Sequence, residues 1–411
     1  MPLVAHNELP TFERLRLEGQ RVLSPDRARE QDIRPMQVGL LNMMPDAALE
    51  ATERQFIRLV GSSNPIAQFY VRPFTLDAIE RGPAARAHID RYYTPFSELQ
   101  NSGLDALIVT GANVSEPDLS REIFWEPLRE VIDWADRSVT STLCSCLATH
   151  AVLLARHGIR RRTLPAKRWG VFEHAVVARD HPLVSGSNTH LEVPHSRYNE
   201  VTGPQLAASG LHVLVESEVA GVQIAVSPDG FRTVYLQGHP EYDTVSLLKE
   251  YKREIARWAR GEAERYPPLP DNYLDHWSAV LLEEYRERAV RAIDAARDVT
   301  PEGGPEGGPE GGPEGGPEGG PEGGRKGGRK GGRADGRDDA AVSRLPPFPE
   351  AKLLARLQNT WHDSGETLVG AWIALVYQLT HKRLEIPFMD GVDPSDPLGW
   401  LNRTPASRPR P

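Results

Sequence analysis

Along roughly the first 260 positions, short β-prone apolar runs alternate with stretches whose apolar residues recur every three to four positions. The run Val38-Gly-Leu-Leu-Asn-Met-Met44 reads as a buried strand, and Pro45-Asp46 after it suits a helix start. In that helix Leu49, Phe56, Leu59 and Val60 fall on one face. A second strand is predicted over Gln68 to Leu76 and a third over Leu104 to Gly111. A helix from about Pro127 to Asp136 then leads into a strand beginning at Val139. Strands alternating with helices predict an α/β fold built on a doubly wound, mostly parallel sheet.

Residues 1–34 are polar and rich in Arg and Glu, and read as an N-terminal arm with one short helix, Thr11 to Glu18. Past a helix ending near His157-Gly158, residues Arg162 to His174 are predicted as a loop that turns into a strand. Three strands follow, His212 to Glu216, Val222 to Val226 and Thr233 to Gln237, with Ser227-Pro-Asp-Gly230 as the turn between the last two. A helix from Thr244 to Trp258 closes a main domain expected over 35–268. Residues 269–300 read as an inserted charged helix. Six copies of Pro-Glu-Gly-Gly and two of Arg-Lys-Gly-Gly follow, and with so little to bury, 301–345 is expected to be a disordered linker. Apolar periodicity returns in a C-terminal helical segment over 346–390, expected to dock on the main domain, and a disordered tail is expected over 391–411.

Composition narrows the class. The chain has 411 residues and a formal net charge of −9, which speaks against a general affinity for nucleic acid. Its two cysteines, Cys144 and Cys146, are poorly spaced for a disulfide and too few for a structural zinc site, so a reducing compartment is expected and no metal. The N-terminus has no basic start followed by an apolar core, and no apolar run reaches a membrane span. A cytoplasmic protein without membrane contact is the expectation.

The chemistry centres on Val139-Thr-Ser-Thr-Leu-Cys-Ser-Cys-Leu-Ala-Thr-His150, read as strand, sharp turn and helix start with Cys146 at the corner. An anionic sulphur is favoured there by unpaired N–H groups and the helix dipole. In a parallel sheet the site lies at the carboxyl ends of the strands, where Thr110-Gly-Ala-Asn113 also falls. Gly238-His239-Pro240-Glu241 follows a predicted strand, which brings His239 to the same edge with Glu241 near enough to fix its tautomer. Nucleophile, base and orienting carboxylate form the expected group. Taken singly, Cys146 suits a buried core position, His239 a structural histidine and Glu241 a helix-start acid; together they favour catalysis.

Five segments then carry a resemblance: Ser141-Thr-Leu-Cys-Ser-Cys146, Leu164-Pro-Ala-Lys-Arg-Trp-Gly-Val-Phe-Glu-His174, Pro194-His-Ser-Arg-Tyr198, Gly238-His-Pro-Glu-Tyr-Asp243 and Glu250-Tyr-Lys-Arg253. The chain resembles the homoserine O-succinyltransferase family of methionine biosynthesis from about Arg34 to Tyr266 and again over Asn359 to Thr380. The resemblance implies a flavodoxin-like fold of the class I glutamine amidotransferase type. It implies Cys146 as acyl-thioester nucleophile, His239 as general base, Glu241 as its partner, and Lys167, Ser196 and Arg253 as substrate-binding residues. It also implies L-homoserine and succinyl-coenzyme A as substrates, no bound cofactor, and a homodimer. Arg197 and His195 are expected to brace their loop.

The chain departs from the family pattern at Leu147, usually aromatic, and at His150, usually Gln. Ser115 falls where the resemblance puts Gly in succinyl transferases and Glu in acetyl transferases, and a small residue favours the longer succinyl chain. The segment Asp271 to Pro349 is absent from the usual pattern. An acetyl donor or a serine acceptor are alternatives within the class. Outside it stand a glutamine-hydrolysing amidotransferase, opposed by the lack of Gly-x-Cys-x-Gly, and a binding protein with an idle triad.

Overall fold

The computed structural model describes residues 3–64, 67–298 and 341–402. The predicted repeat linker therefore lies almost wholly outside the described residues. The chain divides into two units: Met1–Thr244, Asp271–Tyr273 and Gln358–Pro411 form the first, Val245–Pro270 and Leu274–Leu357 the second.

The first unit holds one sheet of strands β1 (Leu3–Val4), β2 (Val22–Leu23), β3 (Pro35–Leu41), β4 (Gln68–Phe74), β5 (Ala106–Val109), β6 (Ser141–Ser145), β7 (Arg162–Val176), β8 (His190–Glu200), β9 (His212–Ser217), β10 (Gly221–Val226) and β11 (Thr233–Leu236). Their order is β2-β1-β4-β3-β5-β6-β11-β10-β9-β7-β8. Every pairing from β2 through to β11 is parallel, and the run β11-β10-β9-β7-β8 is antiparallel. The doubly wound, mostly parallel sheet predicted from the alternation is thus present, extended at one end by a meander and a long hairpin.

Side chains of the central strands alternate between two cores. Val38, Leu40, Ile108, Leu143, Val234 and Leu236 point to the face covered by the helices Asp46–Ser62 and His362–Leu379, which supply Phe56, Ile57, Val60, Trp372 and Ile373. Leu41, Leu107, Val109, Cys144 and Tyr235 point to the other face, covered by Trp125–Ser138 and Leu147–His157. That period of two in near-continuous apolar strands is what a sheet buried on both faces requires. The predicted turn before β11 forms as expected, with Gly230 N–H donating to the Ser227 carbonyl at 2.8 Å and Gly230 at φ +84°.

Several local readings differ. Residues expected as a loop form the 15-residue β7, paired along β8. Its alternation is hidden because one face of the hairpin buries His174, His195 and Arg197, so polar residues occupy core positions. Helices Pro83–Tyr92 and Phe96–Ser102 were not anticipated; each has a single buried apolar residue, Ile89 and Leu99, too little for a period to show. The N-terminal arm contributes β1 and β2 to the sheet edge as well as its helix, Pro10–Leu17. Within the tail expected to be disordered, 391–402 is ordered: Trp400 is buried, stands 4.6 Å from the ring of His181 and 5.1 Å from that of His212, and donates to Asp180 at 3.1 Å. A lone tryptophan among Asp, Gly and Pro gives no period to read. Residues 403–411 lie outside the described residues.

The second unit contains the helices Ser246–Ala259, His276–Asp298 and Glu350–Leu354. Aromatic contacts join them, Trp258 to Tyr266 at 5.0 Å and Tyr285 to Phe348 at 5.1 Å, with ion pairs Lys252 to Glu350 and Arg356 to Asp275. Among the described residues no helix is long and apolar enough to cross a membrane.

Candidate active site

The parallel strands β3, β5, β6 and β11 run the same way, so Asn42–Met44, Thr110–Ala112, Cys146 and Gln237–Glu241 emerge at one edge of the sheet. Cys146 separates β6 from the helix Leu147–His157 and has φ 53° and ψ −111°. A β-carbon makes that backbone costly, on the order of 1–3 kcal/mol, and the surroundings must hold it. They do: Cys146 N–H donates to the Leu236 carbonyl at 2.8 Å, and the Thr149 hydroxyl, one turn into the helix, meets the Cys144 and Leu236 carbonyls at 2.8 Å each. The strained corner lifts the sulphur out of the sheet and leaves it partly exposed, whereas Cys144 is fully buried and burial pushes its thiol pKa up, so it is inert.

Glu241 Oε1 lies 2.8 Å from His239 Nδ1. A carboxylate only accepts, so Nδ1 carries the proton and Nε2 is the nitrogen left for exchange. Nε2 is buried and makes no well-directed hydrogen bond, yet the ring is close enough to Cys146 to feel its charge. Burial opposes the imidazolium, but the charges of Cys146 and Glu241 outweigh it and raise the His239 pKa well above its ordinary value. A charge on either neighbour therefore favours the protonated ring.

The loop carrying His239 is gripped on all sides. Its ring stacks on Tyr242 at 4.2 Å and 17°, and its backbone N–H donates to the Pro194 carbonyl at 2.8 Å. Trp361 Nε1 donates to the Tyr242 carbonyl at 2.9 Å, and Asp243 is paired with Arg54 at 3.2 Å and with Arg58. Gly238 sits where a β-carbon would meet Gln223 Oε1, Val193 and His195. None of these supports was picked out from the sequence except the motif letters themselves.

His195 and Arg197 brace this arrangement, as expected. Arg197 donates to the Asn199 carbonyl at 2.8 Å, the Ala220 carbonyl at 2.6 Å and His195 Nδ1 at 3.2 Å. His195 Nε2 in turn lies 3.1 Å from His174 Nε2, whose Nδ1 donates to the Phe172 carbonyl at 2.9 Å. Each proton has an assigned place when both imidazoles are neutral, and burial lowers both pKa values, that of His174 to about 4. The register pairs Trp169 with Ser196 and Arg168 with Arg197, so the bracing groups take one face of the hairpin and Lys167, Trp169, Ser196 and Tyr198 the other. Lys167 Nζ stands 4.2 Å from the Trp169 ring centroid and 5.7 Å from that of Tyr198. Arg253 belongs to the second unit, where it is 3.9 Å from Glu250.

The two departures have structural accounts. Leu147 opens the nucleophile helix and packs into the second core. His150 is buried and donates to Gln237 Oε1 at 3.0 Å, one residue before the Gly238-His239 loop. Ser115 is fixed by Glu122, which accepts from its backbone N–H at 2.7 Å and from the Glu116 N–H. Arg161, absent from the sequence reading, is half-buried; burial lowers its pKa against the opposing charges of Glu122 and Cys146.

A family model described as homoserine O-succinyltransferase matches residues 2–382. A homoserine O-succinyltransferase of Allochromatium vinosum is 55% identical over 399 residues, covering 97% of this chain and 99% of the relative. One of Thioalkalivibrio nitratireducens is 54% identical over 400 residues, again 97% and 99%. Coverage that complete includes most of residues 271–349, so these relatives carry the segment expected to be foreign to the family. Among solved structures, a glutamine amidotransferase of Thermotoga maritima is similar at 12% identity and a TM-score of 0.37, over 64% of this chain and 94% of that one.

Proposed function

The chain belongs to the homoserine O-succinyltransferase family, and on that footing we propose that it transfers a succinyl group from succinyl-coenzyme A to the side-chain hydroxyl of L-homoserine. The observation that carries the mechanism is His239, held by Glu241 at 2.8 Å through Nδ1 with Nε2 left toward Cys146. Cys146 sulphur attacks the thioester carbonyl carbon, the bond from that carbon to the coenzyme A sulphur breaks, and His239 Nε2 returns a proton to the departing thiolate. The homoserine hydroxyl then gives its proton to Nε2 as its oxygen bonds the acyl carbon, and the Cys146 thiolate leaves.

Oxyanion stabilisation falls to backbone N–H groups at the corner. The Cys146 N–H is engaged by Leu236, but the first N–H groups of a helix have no partner within it, which makes Leu147 the suited donor. A β-carbon at Gly111 would stand 3.9 Å from both Leu147 N and Cys146 Cβ, so glycine there keeps the approach open. Lys167 and Ser196, on one face of the β7–β8 hairpin, bind homoserine in this reading; the role the family resemblance implies for Arg253 is tested by homoserine half-saturation in Arg253→Ala. Succinyl is favoured over acetyl by the small Ser115. The reading also includes a cytoplasmic homodimer that uses no metal and no bound cofactor, and sedimentation of the purified chain tests the dimer.

Intact-mass spectrometry after brief mixing with succinyl-coenzyme A or acetyl-coenzyme A tests the reaction, with Cys146→Ala as control. The expected result is a succinyl adduct absent in the variant and discharged by homoserine. An acetyl adduct would overturn the donor assignment, and no adduct from either donor would overturn the acyltransferase reading.

A further inference from the structure

A groove of about 680 Å³ opens in the first unit, lined on its apolar side by Met43, Ile79, Ala112, Val114, Ile123 and Phe124. Two of these large apolar side chains face solvent, Val114 at 40% and Ile123 at 60% exposure, an arrangement that marks a surface for a ligand. The groove opens one residue along the chain from the Cys146 corner: Ala112 lines it, and a β-carbon on the preceding Gly111 would lie 3.9 Å from Cys146 Cβ. Ser115 lines it too.

Both walls are fixed before any ligand arrives. On one side the Arg81 guanidinium, buried, donates to the Met44 carbonyl at 2.5 Å, the Asn42 carbonyl at 3.3 Å and the Thr75 hydroxyl at 3.0 Å. On the other, buried Glu122 holds the Ser115 and Glu116 N–H groups at 2.7 and 2.6 Å. A preformed groove lowers the ordering cost of binding a flexible chain. Its charged lining holds three carboxylates, Asp46, Glu80 and Glu122, against one guanidinium, Arg81, which pairs with Asp46 at 3.3 Å, so the net negative charge disfavours a phosphorylated group.

We propose that this groove receives the pantetheine arm of the acyl donor and delivers its thioester to Cys146 from the β5 side, with the nucleotide phosphates outside the acidic lining. An uncharged chain of methylenes, methyls and amides suits apolar walls with polar ends, and no other part of coenzyme A is free of phosphate and long enough to reach the corner. The inference rests on the acyltransferase reading and assigns the donor one side of the nucleophile, leaving the acceptor the other.

Val114→Trp and Ile123→Trp fill the groove from exposed positions, so the fold is retained, which a thermal melt of the full chain checks. Acyl-enzyme formation is followed by intact mass against the concentration of succinyl-coenzyme A and of succinyl-N-acetylcysteamine, a thioester with only the tip of the arm. Half-saturation by succinyl-coenzyme A is expected to rise at least fivefold in both variants, with the short thioester and homoserine values within twofold of the parent. An unchanged succinyl-coenzyme A value, an equal rise for both thioesters, or a rise for homoserine instead would each overturn the groove assignment. A parent protein that takes no acyl group from either thioester would overturn the reading beneath it.

Discussion

Gly238 links His239, the proposed general base, to the buried hairpin, and Gly238→Ala measures how tightly. The added carbon would lie 2.6 Å from Gln223 Oε1, 2.8 Å from Val193 Cγ1 and 2.9 Å from His195 Cε1. Reaching 3.4 Å, the start of ordinary contact, needs retreats of 0.8, 0.6 and 0.5 Å, the differences between 3.4 Å and those three distances. No neighbour gives way freely. His195 is locked between Arg197 and His174, Val193 belongs to β8, and Gln223 Oε1 already accepts the Gly238 N–H at 2.7 Å. Overpacking of this kind costs about 1–3 kcal/mol, and the melting temperature should fall by roughly 1–2 °C for each of those in a protein of this size. Since the neighbours are fixed, the loop moves instead, and His239 with it. A displacement of about half an ångström or more at a general base lowers kcat on the order of tenfold to a hundredfold. Steady-state turnover and a thermal melt on the same sample check both effects. A variant with kcat within about twofold of the parent and an unshifted melt would refute the close packing behind His239.

Trp361→Phe removes the donor to the Tyr242 carbonyl; it should cost about 1–2 kcal/mol and lower kcat with little change in substrate half-saturation, and an unaltered kcat would separate the C-terminal segment from catalysis. Burial lowers the pKa of His150 and of His174 to about 4. Below about pH 6.5 the unfolded chain therefore binds protons that the folded one refuses, and stability falls toward pH 4 by up to about 1.4 kcal/mol per pH unit for each histidine. Urea midpoints at pH 7, 5.5 and 4.5 should show this slope, with a shallower one in His150→Gln; equal slopes would remove His150 from the account. Arg161 interacts electrostatically with both Cys146 and Glu122, and a cation within range of the sulphur should draw the free carboxylate of a succinyl group. Arg161→Gln should slow acyl-enzyme formation from succinyl-coenzyme A several-fold more than from acetyl-coenzyme A, and equal slowing would refute that pairing.

The central sheet was legible because its strands are buried on both faces and so are written as continuous apolar runs: 38–44 and 104–111 could be read directly. The placing of Cys146, His239 and Glu241 at one edge was legible because each lies within a few residues of the end of such a strand, where parallel topology alone puts it. The β7–β8 hairpin was not, since His174, His195 and Arg197 sit at inward positions and bond to one another there, with Arg168 on the same face paired to Glu200, which erases the apolar alternation by which strands are recognised. Trp361 and Trp400 were out of reach for another reason. Their partners, Tyr242 and Asp180, are 119 and 220 residues away, and no local period encodes such contacts.

The parts that were hardest to read are those that separate one reaction from another. Cysteine, histidine and glutamate at a strained strand-to-helix corner serve hydrolysis of an amide as well as acyl transfer, so the triad by itself leaves the substrate open. What distinguishes a bulky thioester donor is room beside the nucleophile, and here that room is made by Gly111, by the small Ser115 and by two walls fixed through Arg81 and Glu122. An amino-acid acceptor calls for a polar face held rigid on its far side, and the proposed one, Lys167 and Ser196, lies opposite the locked His195 and Arg197. Both devices work by burying polar groups in several hydrogen bonds each, which fixes geometry without widening the apolar core. It follows that changes at Arg81, Glu122 or Arg197 should alter which substrates are accepted before they abolish the reaction, whereas changes at Cys146 or His239 should end it for every donor alike.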